Sequence, residues 1–191
     1  MKEIRIHARA GQGAITTAAL LGTAAFIGGK YALAFPHFGA ERMGAPMNAF
    51  VRLSDQVIRL RSQVYEPDYL IVLDPSLMRG FDVFEGFRPG GVAIINHHEK
   101  VQCPKPIQNI KVFTVPGNDI ATEVLGRPIG NTTILGAFAA ATNEFGLESL
   151  QQAILERFSG EVAKKNAEAA RRGYEYIKKG YLPETILNFI A

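Results

Sequence analysis

The sequence predicts an α/β protein with a mostly parallel open sheet, Rossmann-like, covered by helices and carrying a small hairpin. Nearly continuous apolar runs recur at residues 69–73, 92–96 and 110–115, as in strands buried on both faces. Segments with helical spacing of apolar residues alternate with the strands or follow them. A short strand near the N-terminus also runs into a glycine turn and a helix. Strands that alternate with helices favour parallel pairing.

Local patterns place the elements in order. Strands are predicted where apolar residues alternate or run together, at 4–8, 31–35, 69–73, 92–96 and 110–115. Helices are predicted where apolar residues recur every three or four positions, at 14–27, 119–125, 131–144, 147–158 and 161–179. The turn sequence Ser54-Asp55-Gln56 separates short strands at 49–53 and 57–60, and this pattern predicts the hairpin.

Length and composition predict one domain over 1–191. The chain has 191 residues, 47% of them hydrophobic, which suffices for a single core. It has one cysteine, Cys103, so an intramolecular disulfide is excluded. A [4Fe–4S] cluster takes about four thiolates, so this chain cannot hold one by itself. Any electron transfer must therefore use centres on other chains.

Charge and hydropathy argue against nucleic acid and membrane as partners. The formal net charge is +3, and the densest group of Lys and Arg lies in the last predicted helix, where a solvent face is expected. No basic stripe interleaved with aromatic residues predicts nucleic-acid binding. No apolar run is long enough to span a bilayer, and no signal-peptide pattern opens the sequence. We expect a cytoplasmic protein without membrane contact.

The turn Gly11-Gln12-Gly13 lies where open α/β sheets bind anions. A helix N-terminus offers unpaired N–H groups and the positive end of its dipole, and glycine lets the backbone approach a phosphate. Thr16 and Thr17 could add hydroxyl groups one turn into the helix. The dinucleotide fingerprint would require a third glycine at the position of Thr16. Two interpretations stay open: a site for a phosphate-bearing ligand, and a tight turn without a ligand.

The loop 36–46 combines two prolines, two glycines and the adjacent charges Glu41 and Arg42. If the strand before it runs parallel to the first strand, this loop and the glycine turn share one sheet edge. Arg42 could then bind a carboxylate or phosphate through two parallel hydrogen bonds. The other interpretation is that Glu41 and Arg42 hold the loop together.

Other polar residues carry weaker signals. His7 alternates with apolar residues on a strand and is interpreted as structural. His97-His98 lacks a third ligand at metal-site spacing and is interpreted as a surface loop. Asp74 ends a strand and either lines the site or caps the next turn. Asn131 is interpreted as part of a helix N-terminus.

Eight stretches then occur in a fixed order along almost the whole chain: Ile4 to Ala14, Gly29 to Pro36, Phe38 to Pro46, Ala49 to Asp55, Glu66 to Asp68, Val72 to Leu77, Gly90-Gly91 and Leu135 to Phe138. Together they resemble the γ subunit of pyruvate and 2-oxoisovalerate:ferredoxin oxidoreductases. One departure is Met43, where such subunits often carry a basic residue. This departure weakens the case for a loop that binds an anion with two cations.

The resemblance implies one subunit of an enzyme that oxidatively decarboxylates a 2-oxoacid to an acyl-CoA and passes two electrons to ferredoxin. It places thiamine diphosphate and the iron–sulfur clusters on partner subunits of α, β and δ type. The isolated chain is therefore expected to be inactive and to bind no cofactor alone. No residue of this chain is expected to act as a catalytic acid, base or nucleophile, and no metal ligand set is expected.

The resemblance also implies that the glycine turn and the loop face the thiamine and CoA region. Gly11, Gln12 and Gly13 are expected to approach the cofactor or the CoA phosphates. Arg42 would make an electrostatic contact that Glu41 positions. The candidate cofactor-binding set is Gly11, Gln12, Gly13, Thr16, Glu41, Arg42 and Gly44.

Two competing hypotheses stand beside the enzyme subunit. One is a free-standing Rossmann-like protein that binds a nucleotide or CoA. The other is a structural adaptor, for which changes in the glycine turn would alter assembly alone.

Overall fold

A computed structural model describes residues 1–37, 43–180 and 184–185. Its strands are β1 (Lys2–Arg9), β2 (Tyr31–His37), β3 (Pro46–Ser54), β4 (Tyr69–Val72), β5 (Val92–Asn96), β6 (Lys111–Val115) and β7 (Glu184–Thr185). Its helices are α1 (Ala14–Ile27), α2 (Gly117–Leu125), α3 (Asn131–Thr142), α4 (Leu147–Arg157) and α5 (Gly160–Lys178), with a 3₁₀ helix at Pro75–Arg79. Among the described helices, none has the length and apolarity needed to cross a membrane.

The strands form one mixed sheet in the order β2-β3-β1-β4-β5-β6-β7. The central strands β1, β4, β5 and β6 are parallel to their neighbours within this group. β3 is antiparallel to both β1 and β2, and β7 is antiparallel to β6. The predicted α/β fold with an open, mostly parallel sheet is confirmed.

The hairpin occurs at a different place from the one predicted. β3 pairs with β2 on one side and β1 on the other, and residues 57–60 form no strand. The reason is Arg52, whose side chain is 1% exposed. Its guanidinium donates hydrogen bonds to the backbone carbonyl oxygens of Leu60 and Ser62 at 3.2 and 2.7 Å. The segment after the turn therefore closes over a buried cation rather than extending the sheet.

The larger core lies between the sheet and helices on one face. It includes Ile4, Ile6, Val51, Ile71 and Ile94 from the strands, and α1, α3, α4 and α5 supply the facing side chains. Irregular chain and the 3₁₀ helix cover much of the other face, where Leu77, Phe84 and Cys103 pack on β4 and β5. Burial raises the pKa of the Cys103 thiol, and a raised pKa lowers the fraction of reactive thiolate.

Topology brings the functional candidates to one edge of the sheet. Because β1, β4, β5 and β6 are parallel, their carboxyl ends meet there. Four residues separate the end of β1 from the start of α1, and one residue separates the end of β6 from the start of α2. The start of α3 also reaches this edge, so three helix N-termini converge beside the strand ends.

Candidate functional site

The turn after β1 is built from two glycines in left-handed conformation. Gly11 has φ +96° and Gly13 has φ +82°, values that cost about 1–2 kcal/mol for a residue with a side chain. Gly13 is the N-cap of α1 and supplies no side-chain cap, and the first turn contains no acidic residue. The first N–H groups of the helix are therefore left for a ligand or water.

Asn131 meets this turn from the start of α3. A Cβ on Gly13 would lie 2.9 Å from its side-chain nitrogen, so a larger residue at this position would have to displace the Asn131 amide. The Asn131 side chain is 8% exposed, and its Oδ1 accepts a hydrogen bond from the Thr132 N–H at 3.0 Å. Asn131 is also one of the residues that line a cavity.

The cavity has a volume of about 100 Å³. It is lined by the glycine turn, the strand ends and the starts of α2 and α3: Gly11, Gln12, Leu73, Asn96, Asn118, Pro128, Ile129, Gly130 and Asn131. Amide side chains dominate its polar lining, and no carboxylate is among the residues that form it. This composition suits an anionic group better than a cation.

A pair of asparagines holds the far wall of the cavity. Asn96 ends β5 and donates through Nδ2 to the Leu73 carbonyl and to Asn118 Oδ1, both at 2.9 Å. Its own Oδ1 accepts from the Asn118 N–H at 3.1 Å. Asn118 Oδ1 also accepts from the Gly130 N–H at 3.1 Å. These bonds join the end of β5 to the starts of α2 and α3.

A second network holds the near wall. The Gln12 amide donates to Asp74 Oδ2 at 2.7 Å, and Arg9 Nε lies 3.2 Å from the same oxygen. Asp74 Oδ1 accepts from the Ser76 N–H at 2.9 Å. Burial alone would raise the pKa of Asp74, but hydrogen bonds from Ser76 and Gln12, with Arg9 nearby, hold it below its ordinary value. Asp74 thus both caps the 3₁₀ helix and orders the site edge.

The loop after β2 reaches the same edge, as the sequence predicted. The Gly44 N–H donates to the Ala10 carbonyl at 3.1 Å, and the Ala10 N–H donates to the Ala45 carbonyl at 2.8 Å. Arg9 also donates to the Gly44 carbonyl at 3.1 Å. The predicted roles of Glu41 and Arg42 lie outside the described residues.

The two threonines in the first turn of α1 differ in what their hydroxyl groups can bind. Thr16 lies in the first turn and is half-buried. Thr17 is buried, and its hydroxyl donates back to the Gly13 carbonyl at 2.9 Å. The expectation that Thr17 would offer its hydroxyl to a ligand is therefore wrong, because that hydroxyl satisfies the helix backbone.

His7, His97 and His98 have other roles. His7 is buried, and burial, followed by the neighbouring Arg5 guanidinium, lowers its pKa to about 3, so it is neutral at physiological pH. The rings of His97 and His98 stack at 4.8 Å near the strand ends. Across the described part of the chain, no group of three or more His, Cys, Asp or Glu side chains is arranged to hold a metal ion.

Three candidate functional residues, Asn131, Asn96 and Asn118, were not predicted from the sequence. Asn131 was interpreted as a capping residue, whereas Gly130 is the N-cap and Asn131 faces the cavity. Asn96 and Asn118 had no motif to mark them. Only their positions could have indicated a role. Asn96 is the last residue of the buried strand β5, and Asn118 lies in the first turn of the helix that follows β6.

The chain is similar to known proteins over most of its length. A profile of the pyruvate ferredoxin/flavodoxin oxidoreductase family matches residues 3–176. The pyruvate/ketoisovalerate oxidoreductases common subunit gamma of Thermococcus litoralis is 50% identical over 178 residues, covering 92% of this chain and 96% of the relative. The pyruvate synthase subunit PorC of Methanothermobacter thermautotrophicus is 50% identical over 179 residues, covering 94% and 97%.

A solved structure has the same fold. The crystal structure of the pyruvate oxidoreductase subunit PORC of Thermotoga maritima superposes with a TM-score of 0.79 at 38% sequence identity. The match covers 91% of this chain and 95% of that chain.

Proposed function

Because the chain belongs to the pyruvate ferredoxin/flavodoxin oxidoreductase family, we propose that it is the γ-type subunit of a multi-subunit 2-oxoacid:ferredoxin oxidoreductase. The assembled enzyme converts a 2-oxoacid, CoA and oxidised ferredoxin to an acyl-CoA, CO₂ and reduced ferredoxin. Relatives that share half of its residues are named as the common subunit gamma of pyruvate/ketoisovalerate oxidoreductases and as subunit PorC of pyruvate synthase. A free-standing nucleotide-binding protein is accordingly not favoured.

The observation that carries the proposal is the amide-lined cavity beside the glycine turn. Helix α1 offers N–H groups and the positive end of its dipole, α3 adds a second helix start, and Asn131 adds a buried side-chain donor. We assign this edge to a phosphate group of CoA. In this role Gly11 and Gly13 allow close backbone approach, and Gln12 is held in place by Asp74.

The same residues fit thiamine diphosphate less well. Protein-bound Mg²⁺ that accompanies phosphates is usually held through one or two carboxylates, and the cavity lining includes none. The one cysteine, Cys103, is buried on the other face of the sheet and cannot hold an iron–sulfur cluster. We therefore place the thiamine and the clusters on partner subunits of α, β and δ type.

The role of this chain is then to bind and orient, while CoA supplies the thiol that accepts the acyl group. Arg9 lies 3.2 Å from Asp74 and lends positive charge to the edge. Thr16 and Gly44 lie beside the turn, and Arg42, positioned by Glu41, would add a cationic contact from the loop. Contact with ferredoxin would occur through the complex, which we place in the cytoplasm.

The test is capture of the complex. An affinity-tagged copy of the chain, expressed in its native cell, should retain larger partner subunits. The captured material should reduce a ferredoxin-like dye only when a 2-oxoacid and CoA are both present. Capture without such activity would contradict the proposal, as would turnover of a 2-oxoacid by the isolated chain with thiamine diphosphate alone.

A further inference from the structure

Two asparagine side chains of the cavity lining have a hydrogen-bonded oxygen and a nitrogen without a partner. Asn118 Oδ1 accepts hydrogen bonds from Asn96 Nδ2 at 2.9 Å and from the Gly130 N–H at 3.1 Å. Asn131 Oδ1 accepts from the Thr132 N–H at 3.0 Å. Within residues 1–37, 43–180 and 184–185, no acceptor receives the Nδ2 group of Asn118 or of Asn131. Each side chain therefore has an amide donor that these residues do not use.

Both of these nitrogens are accessible. Over the described ranges of the chain, Thr133 Oγ1 is the one buried side-chain nitrogen or oxygen atom that lacks a hydrogen-bond partner. The Nδ2 atoms of Asn118 and Asn131 also lack a partner, so neither of them is buried. The open space that the two residues share is the cavity of about 100 Å³ beside the glycine turn, which both of them line.

The orientation of the Asn118 amide follows from its partners. The Gly130 N–H can only donate, so the Asn118 atom that faces it is the oxygen. Asn96 holds Asn118 a second time, because Asn96 Oδ1 accepts from the Asn118 backbone N–H at 3.1 Å. Asn96 is itself fixed, since it is 6% exposed and its Nδ2 also donates to the Leu73 carbonyl at 2.9 Å. The Asn118 amide is therefore oriented before any ligand binds.

Close backbone packing fixes the spacing between the two donors. A Cβ on Gly130 would lie 2.5 Å from the carbonyl carbon of Gly117, and a Cβ on Gly117 would lie 3.0 Å from Asn96 Oδ1. The starts of α2 and α3 thus touch backbone to backbone, with Asn96 packed against them. Because α2 carries Asn118 in its first turn and α3 begins at Asn131, this contact sets the distance between the two amides.

Two amide donors in one cavity favour an anionic ligand. Hydrogen bonds to a charged acceptor are about twice as strong as those between neutral groups. The described residues that line the cavity include no carboxylate to compete for these donors or to hold a cation. A phosphate group has several acceptor oxygens and can receive both amides at once. Donors that are already oriented bind such a group without a cost of reorganisation.

We infer that Asn118 is a second side chain that binds a phosphate group of CoA, together with Asn131, and that Asn96 is the residue that positions Asn118. The inference rests on the proposed function, which supplies CoA as the ligand. Asn118 contributes to the affinity for CoA and takes no part in the chemistry of the 2-oxoacid. Its removal should therefore change the KM for CoA and leave kcat at saturating CoA unchanged.

The test uses Asn118→Asp in the tagged full-length chain, assayed in the captured complex. An aspartate keeps an oxygen for the donors of Asn96 and Gly130, and it keeps the backbone N–H that Asn96 accepts. It changes only the group without a partner, from a donor to a negatively charged acceptor. Asn143→Asp is the control, because it adds the same charge at an exposed position past the opposite end of α3.

We expect Asn118→Asp to raise the KM for CoA about tenfold or more. Its kcat at saturating CoA, its KM for the 2-oxoacid and its melting temperature should match wild type, as should all values for Asn143→Asp. A wild-type KM for CoA in Asn118→Asp would overturn the inference. So would a rise in the KM for the 2-oxoacid alone, since the cavity would then hold the carboxylate of that substrate.

A double-mutant cycle tests the role of Asn96. Asn96→Ala removes the hydrogen bonds that hold Asn118 and should raise the KM for CoA by itself. If Asn96 acts through Asn118, the double variant with Asn118→Ala should have the same KM for CoA as Asn118→Ala alone. Effects that multiply would overturn the positioning role. The cycle compares assembled enzymes, so a lower melting temperature of one variant does not obscure it.

These results separate the two proposals. A captured wild-type complex without CoA-dependent activity would contradict the proposed function, and the role of Asn118 would fail with it. If the wild-type complex requires CoA and Asn131→Asp raises its KM for CoA while Asn118→Asp does not, the role of Asn118 alone fails.

Discussion

The side-chain amide of Gln12 lies 2.7 Å from Oδ2 of Asp74, and this hydrogen bond joins the turn after β1 to the end of β4. Arg9 approaches the same oxygen at 3.2 Å. The Asp74 carboxylate therefore fixes the side chains of both Gln12 and Arg9. The proposed role of this edge depends on that order.

Replacement Asp74→Asn should loosen the site edge. The neutral amide cannot pair with Arg9, and we expect a loss of about 1–3 kcal/mol in the free energy of unfolding together with a higher KM for CoA in the assembled enzyme. Asp82→Asn, which alters the half-exposed Asp82–Lys105 pair, is the control and should cost less than about 1 kcal/mol. Equal losses in urea denaturation would contradict a special role for Asp74.

The lowered pKa of Asp74 predicts that the stability of the chain depends on pH. Because its pKa is lower in the folded chain than in the unfolded chain, its contribution is present above the ordinary value of 3.8 and is lost as pH falls through the folded value. The stability difference between wild type and Asp74→Asn should therefore shrink below about pH 4. A constant difference down to acid pH would show that the carboxylate charge contributes nothing.

The two glycines of the turn should respond differently to alanine. Both substitutions place a Cβ at positive φ and should cost about 1–2 kcal/mol. Gly11→Ala meets nothing else within 4 Å, whereas Gly13→Ala must also displace the Asn131 amide 2.9 Å away. We expect the larger loss of stability, and a shifted NMR resonance of the Asn131 side-chain amide, only in Gly13→Ala. A reversed ranking would contradict the described contact.

His7 should make the chain sensitive to mild acid. Its folded pKa of about 3 lies below the ordinary 6.5, so stability is complete above pH 6.5 and falls as pH drops toward 3, by up to ~1.4 kcal/mol per pH unit. Urea denaturation between pH 7 and 4 should show this slope, and His7→Gln should reduce it. An NMR titration with His7 near 6.5 would refute the buried neutral state.

Glu144 joins elements at the opposite edge of the sheet. Its side chain, 9% exposed, pairs with Lys30 and accepts from the Tyr69 hydroxyl at 2.5 Å. Glu144→Gln should cost about 1–3 kcal/mol, because a charged acceptor is lost at a largely buried position. Glu161→Gln, in the exposed pair with Lys164, should change stability by less than about 1 kcal/mol. Similar melting temperatures for the two variants would contradict this.

Most of the fold could be predicted because the sequence patterns that specify it lie within single strands and helices. The apolar runs at 69–73, 92–96 and 110–115 became β4, β5 and β6, and the glycines that follow α1 end it as predicted. The hairpin prediction was wrong because a turn sequence does not reveal that Arg52 needs backbone acceptors from the next segment. That requirement appears only when Arg52 is known to be buried.

The site was predictable in part for the same reason. The glycine turn carries a local signature, and the approach of the loop at Gly44 followed from strand direction. Asn131 could not be found this way, since its role depends on a contact with Gly13 far away in the sequence. Asn96 and Asn118 likewise act through bonds between separate elements that no local pattern encodes.

The most direct test of the assigned site is the KM for CoA of the assembled enzyme carrying Asn131→Asp. The substitution changes little in size but places a carboxylate in the cavity, where it would repel a phosphate. The control is Asn143→Asp, an exposed residue past the opposite end of α3. We predict that Asn131→Asp raises the KM for CoA about tenfold or more while the KM for the 2-oxoacid stays unchanged. An unchanged KM for CoA in fully assembled enzyme would contradict the assignment of this cavity to CoA.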